Sequence, residues 1–173
     1  MKKKTHLLVT KHFSKDFDLS CFDRFWLCFG SIAPDLTPMC ILYPHRFKLR
    51  NYNVLKRFSR LNLNSKNWLF YFKVGVISHF LADFFTAPHN RKGIKGFCTR
   101  HRSYESDLSE FFKCNLESIK FSSQSHFDFE NYLDFLHSDY IKQDEALEID
   151  FNYICRVVYY FLIGVCYDSA GSK

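Results

Sequence analysis

Glycine and proline are scarce in this chain, 6 and 4 in 173 residues, so it lacks the turn material that a fold of many short strands needs. Cysteine occurs at positions 21, 28, 40, 98, 114, 155 and 166, an odd number with no CxxC pair. That pattern excludes a disulfide framework and reads as the reduced thiols of a cytoplasmic protein. An unbroken apolar run of membrane-spanning length is also missing. Residues 68–85 are interrupted by Lys73, His79 and Asp83, and residues 154–167 are short and carry Arg156. The start, MKKKTHLLVTKHFSKDF, has the basic cluster of a secretion signal, but HLLV is too short for its apolar segment and charge resumes at Lys11. The expectation is a soluble, cytoplasmic protein without a membrane span.

Aromatic residues are abundant instead. They make up 19% of the chain, with 21 phenylalanines, and apolar residues reach 47%, enough for one sizeable core in a single domain over 1–173. Charge is uneven. The net value is +6, but residues 1–105 carry an excess of +13 and residues 106–173 one of −7. A basic first half favours an anionic substrate.

Apolar periodicity predicts an all-α fold. Helices are expected over about 6–14, 21–31, 51–63, 65–86, 97–119, 127–141 and 146–167, with a proline-containing loop over 32–50. In the second, Phe22, Phe25, Trp26 and Phe29 share one face. The last is mostly apolar and reads as a core helix. His126 and His137 fall on a charged amphipathic segment and are expected to face solvent.

The stretch GVISHFLADFFTAPH, residues 75–89, carries the chemistry. His79 and Asp83 are four apart, so on a helix they lie one above the other and can grip one cation together. The residues between and after them are apolar, so this pair is expected to be buried, which costs several kcal/mol unless a partner offsets it. A metal ion is one such partner; a nearby Arg or Lys is another. His101 and Glu105 repeat the spacing on the next long helix. Three prolines each precede a further candidate ligand: Pro34 before Asp35, Pro44 before His45, Pro88 before His89. Four histidines and three carboxylates are the ligand types that zinc takes in open, catalytic sites. Neighbouring metal folds fit less well, since the chain has no adjacent His-Asp dyad and neither pair has the Glu-x-x-His order of di-iron bundles.

The series Gly30-Ser-Ile-Ala-Pro-Asp35, His45, Gly75 with His79-xxx-Asp83, Pro88-His89 and His101-xxx-Glu105 resembles the zinc-dependent phospholipase C family, itself similar to the fungal zinc-dependent single-strand nucleases. The likeness covers roughly residues 6–110. It implies an all-helical bundle with two or three zinc ions that hydrolyses a phosphodiester, a phospholipid head group or alternatively nucleic acid. A further alternative is a non-catalytic protein whose zinc only holds helices together. By the resemblance, Asp35, His45, His79 and Asp83 hold one zinc, and His89, His101 and Glu105 a second. A third involves Asp83 and an early histidine, His6. Relatives complete it with an N-terminal Trp, which this chain lacks, and its own amine is expected to lie far off on a lysine-rich tail. Asp35 is the candidate general base on the attacking water, and Glu105 supports turnover through the second zinc. Arg46, Arg91, Lys92 and Arg102 are candidates for steadying the phosphate.

Overall fold

Seven α-helices and no strand occur among the residues that the computed structural model describes, namely 1–36, 54, 56, 58–63, 65–90, 99–121 (backbone only for 99–101) and 128–166. The helices are α1 (Lys3–Phe13), α2 (Cys21–Leu36), α3 (Trp68–Asp83), α4 (Ala87–Asn90), α5 (Thr99–Asn115), α6 (Phe129–Tyr140) and α7 (Leu147–Cys166). The all-α class predicted from apolar periodicity is the class observed among the described residues.

The central helix is α3. Its start is capped by Asn67, whose side chain accepts from the Phe70 N–H at 3.1 Å. Nearly every residue from Phe70 to Asp83 is buried, including the polar Ser78, His79 and Asp83. Ser78 satisfies its hydroxyl on the Val74 carbonyl one turn back, at 3.0 Å. The other long apolar helix is α7. Its length and composition would suffice to cross a membrane, but 67% of its most apolar window is buried inside the fold, so it packs as the core helix the sequence suggested. Aromatic rings fill the space around it: Phe112 against Phe151, Phe13 against Tyr159, and Phe58 against Phe161.

On α1 the buried face is Thr5, His6, Val9, Thr10 and Phe13, a helical stripe that brings His6 inward. Its neighbour α2 buries only Leu27, Gly30 and Ser31. The aromatic face read from the sequence does form on α2, but it turns outward: Phe22 and Phe25 are each 59% exposed. Trp26 on that face leans back, with its ring 4.7 Å from Trp68, and the Phe29 ring lies 5.9 Å from that of Phe72.

Two expectations change here. The predicted loop over 32–50 is helical at its start, because α2 continues through Pro34 and Asp35 to Leu36, and residues 37–50 lie outside the described residues. Proline's fixed φ is itself helical, and so near the helix end it costs one bond to the carbonyl of residue 30 and some crowding of that carbonyl. His137 does not face solvent: it is 7% exposed, bonds through Nε2 to the Asn90 side-chain oxygen at 2.8 Å, and packs on Phe85. His126 lies outside the described residues.

Candidate metal centre

The centre is set by how closely α2 and α3 approach. A Cβ on Gly30 would lie 2.1 Å from the Phe72 carbonyl oxygen, and one on Gly75 would lie 2.1 Å from that of Leu27. Only two glycines facing each other allow the backbones to meet this way. The contact delivers the Ser31 carbonyl to the ring of His79, one turn beyond Gly75, at 2.9 Å from Nδ1. A carbonyl can only accept, so Nδ1 carries the hydrogen and Nε2 presents its lone pair. A backbone partner of this kind is how metal-binding histidines are oriented.

His79 Nε2 points at two carboxylates, 3.3 Å from Asp83 Oδ2 and 3.8 Å from Asp35 Oδ1. Asp35 is brought by the last turn of α2, not by a loop. His6 comes from α1, its ring stacked 3.9 Å from that of His79, with Nε2 3.3 Å from Asp83 Oδ1. One ligand atom from each of His6, Asp35 and His79 lies within 4.8 Å of the others. His12, two turns along α1, points elsewhere, 3.5 Å from Glu117.

The amine of Met1 is a group that sequence reasoning misplaced. It is buried, 3.0 Å from Asp83 Oδ1 and 3.0 Å from Glu105 Oε1. The expected remote tail is instead tied to the cluster, because α1 starts as early as Lys3 and holds Met1 close to α3. Glu105 on α5 thereby joins the α3 carboxylate through one shared cation.

His89 follows α3 across a tight turn. The Thr86 hydroxyl donates to the Asp83 carbonyl at 2.9 Å, so it must accept from His89 Nδ1, 2.7 Å away. His89 thus also holds its hydrogen on Nδ1 and offers Nε2 as a ligand atom. The turn is tied to the far side of the fold through Asp150 on α7. This buried carboxylate accepts from the Ala87 N–H and the Tyr104 hydroxyl on Oδ2, and from the Tyr140 hydroxyl on Oδ1. Neither Asp150 nor Ser31 carries a sequence signal of its own, since both act through backbone or remote contacts.

Electrostatics follow from burial and crowding. Burial, then the neighbouring His6, pushes His79 down to about 3, so its ring is neutral at ordinary pH. Burial is also the largest influence on Asp83 and works to raise it. The Met1 amine, His6, His79 and His89 together outweigh that, and its carboxyl sits well below the usual range. For the amine, burial pulls down, but Asp83 and Glu105 prevail and lift it to about 10. A neutral imidazole and an ionised carboxylate are the protonation states that a metal ligand requires.

The structure therefore brings together His6, Asp35, His79, Asp83, His89 and Glu105. His101 lies on α5 one turn before Glu105, with its side chain outside the described set, while His45, Arg46, Arg91 and Lys92 are outside the described residues altogether. Arg102 is exposed on α5. The donor set of imidazole nitrogens and carboxylate oxygens, with two histidines held in the ligating tautomer, fits zinc. Among known proteins, the family described as zinc dependent phospholipase C matches residues 5–168. No curated protein and no solved structure matches.

Proposed function

From the premise that this chain belongs to the zinc-dependent phospholipase C family, we propose that it is a zinc-dependent phosphodiester hydrolase acting on a phospholipid-like substrate. The observation that carries this reading is His79: its Nδ1 is fixed by the Ser31 carbonyl while Nε2 faces both Asp35 and Asp83.

In this reading His79, Asp83 and Asp35, with His45, hold one zinc, and His89, His101 and Glu105 hold a second. The Met1 amine, His6 and the shared Asp83 hold a third. Zinc in such a place supplies Lewis acidity, polarising a phosphoryl oxygen and making a water acidic near neutral pH. The chain's own residues do the rest. Asp83 is buried and ionised, so it balances positive charge without competing for a proton. Asp35 has an 18% exposed side chain, and in this reading it alternatively takes a proton from the attacking water. Glu105, similarly half-open at 17%, keeps the α5 side of the cluster anionic. Arg102 and the basic excess of residues 1–105 draw the phosphate in.

The test is a panel of substrates with zinc-replete protein: a chromogenic phosphodiester, phospholipid and single-stranded nucleic acid. Phospholipid and chromogenic hydrolysis that stops with chelator is expected. Asp35→Asn should lower turnover by about 100-fold or more, the usual worth of a general base. Cleavage of nucleic acid alone would move the assignment to a nuclease, and inertness on all three would leave a structural zinc protein.

A further inference from the structure

Asp150 sits on α7, remote in sequence from every candidate ligand, and is 1% exposed. Its two oxygens serve different elements. Oδ2 accepts the Ala87 N–H at 2.8 Å and the Tyr104 hydroxyl at 2.5 Å, and Oδ1 accepts the Tyr140 hydroxyl at 2.6 Å. Ala87 opens α4, two residues before His89, and Tyr104 immediately precedes Glu105 on α5. One oxygen therefore holds both segments that carry His89 and Glu105. Oδ1 accepts from Tyr140 on α6, a helix that carries no candidate ligand.

We propose that Asp150 is a positioning residue for the second metal subsite: its Oδ2 sets the spacing between the His89 turn and the Glu105 helix. This rests on the zinc reading above. The physical basis is the low tolerance of a metal site to ligand displacement. Groups outside the ligand set that orient it are typically worth 10–100-fold in metal affinity. A backbone N–H at a helix start and a hydroxyl on a neighbouring helix share one acceptor, so removing that acceptor loosens the two segments together. The α2–α3 part of the cluster is fixed at its own crossing, by Gly30, Gly75 and the Ser31 carbonyl.

The experiment compares two subtle variants of the full chain, Tyr104→Phe and Tyr140→Phe, with Asp150→Asn as a third. Each tyrosine variant deletes one hydroxyl to the same buried carboxylate. Thermal midpoints in chelator should therefore fall by similar amounts. Zinc affinity, measured by competition with a chromogenic chelator, should separate them. Tyr104→Phe and Asp150→Asn are expected to weaken one zinc about 10–100-fold while the tightest zinc is unchanged, and Tyr140→Phe to leave all zinc affinities as in the unmodified chain. Equal zinc responses from the two tyrosine variants, or none from either, would overturn the inference even if Asp150→Asn failed to fold. An unmodified chain that takes up no zinc would overturn the zinc reading and this inference with it.

Discussion

Asp83 is the residue on which the centre converges, since its two oxygens face His79, His6 and the Met1 amine at 3.0–3.3 Å. In metal-free protein the attraction between Asp83, Glu105 and the amine contributes to stability in a definite pH window. The folded amine is raised from 8.0 to about 10, so its contribution is complete below pH 8 and is lost as pH rises through about 10. Asp83 is depressed, so its share is present above the ordinary carboxylate range and is lost as pH falls through its lower folded value. The two are one interaction seen from both ends and are not summed. A two-unit shift corresponds to roughly 3 kcal/mol. Chelated protein should therefore lose about that much between pH 8 and 10 in denaturant titrations, and a flat profile there would contradict the buried ion pair. Zinc at this position needs the amine deprotonated, so its affinity should rise across the same range.

At the scale of elements, the α2–α3 crossing is the part of the fold that the chemistry depends on. Gly75→Ala puts a methyl group 2.1 Å from the Leu27 carbonyl oxygen and 2.7 Å from the Ser31 nitrogen. Backbone cannot yield as a flexible side chain does, so the helices must separate, costing about 3 kcal/mol, the upper part of the usual overpacking range, or more. The Ser31 carbonyl then leaves His79, and zinc should be lost along with stability. Gly164 provides the contrast, because its Cβ would meet nothing within 4 Å. Gly164→Ala should stabilise the chain by up to about 1 kcal/mol, the helix-propensity difference. Equal destabilisation by both substitutions in thermal melts would refute the crossing argument. The helices themselves were largely legible in the sequence, because apolar spacing at i, i+3 and i+4 sets which face is buried. Their ends were less so: α2 runs five residues past its predicted stop because packing against α3 outweighs the proline signal. The direction of its aromatic face was not legible either, since periodicity defines a face but not what covers it. In the centre, residue types and spacings marked Asp35, His79, Asp83, His89 and Glu105, and the family resemblance added His6, whereas the Met1 amine and the Ser31 carbonyl are backbone groups that any sequence possesses. Asp150 was invisible because its partners lie 10 to 63 residues away in the chain.

For the whole molecule, the polarity of charge and the position of the centre belong together. The candidate ligands all lie in the basic stretch 1–105, and the acidic remainder supplies α6 and α7, the buttress that holds the His89 turn through Asp150 and His137. Burying an imidazole pair and a carboxylate in the middle of an aromatic core is costly; the Met1 amine offsets part of that cost at Asp83, and a bound zinc would offset the rest. The account therefore stands or falls on metal content. Purified protein, dialysed after zinc supplementation, should contain two or three zinc ions per chain by elemental analysis, and His79→Ala should lose zinc and thermal stability together. Less than one equivalent of zinc in the unmodified chain would contradict it.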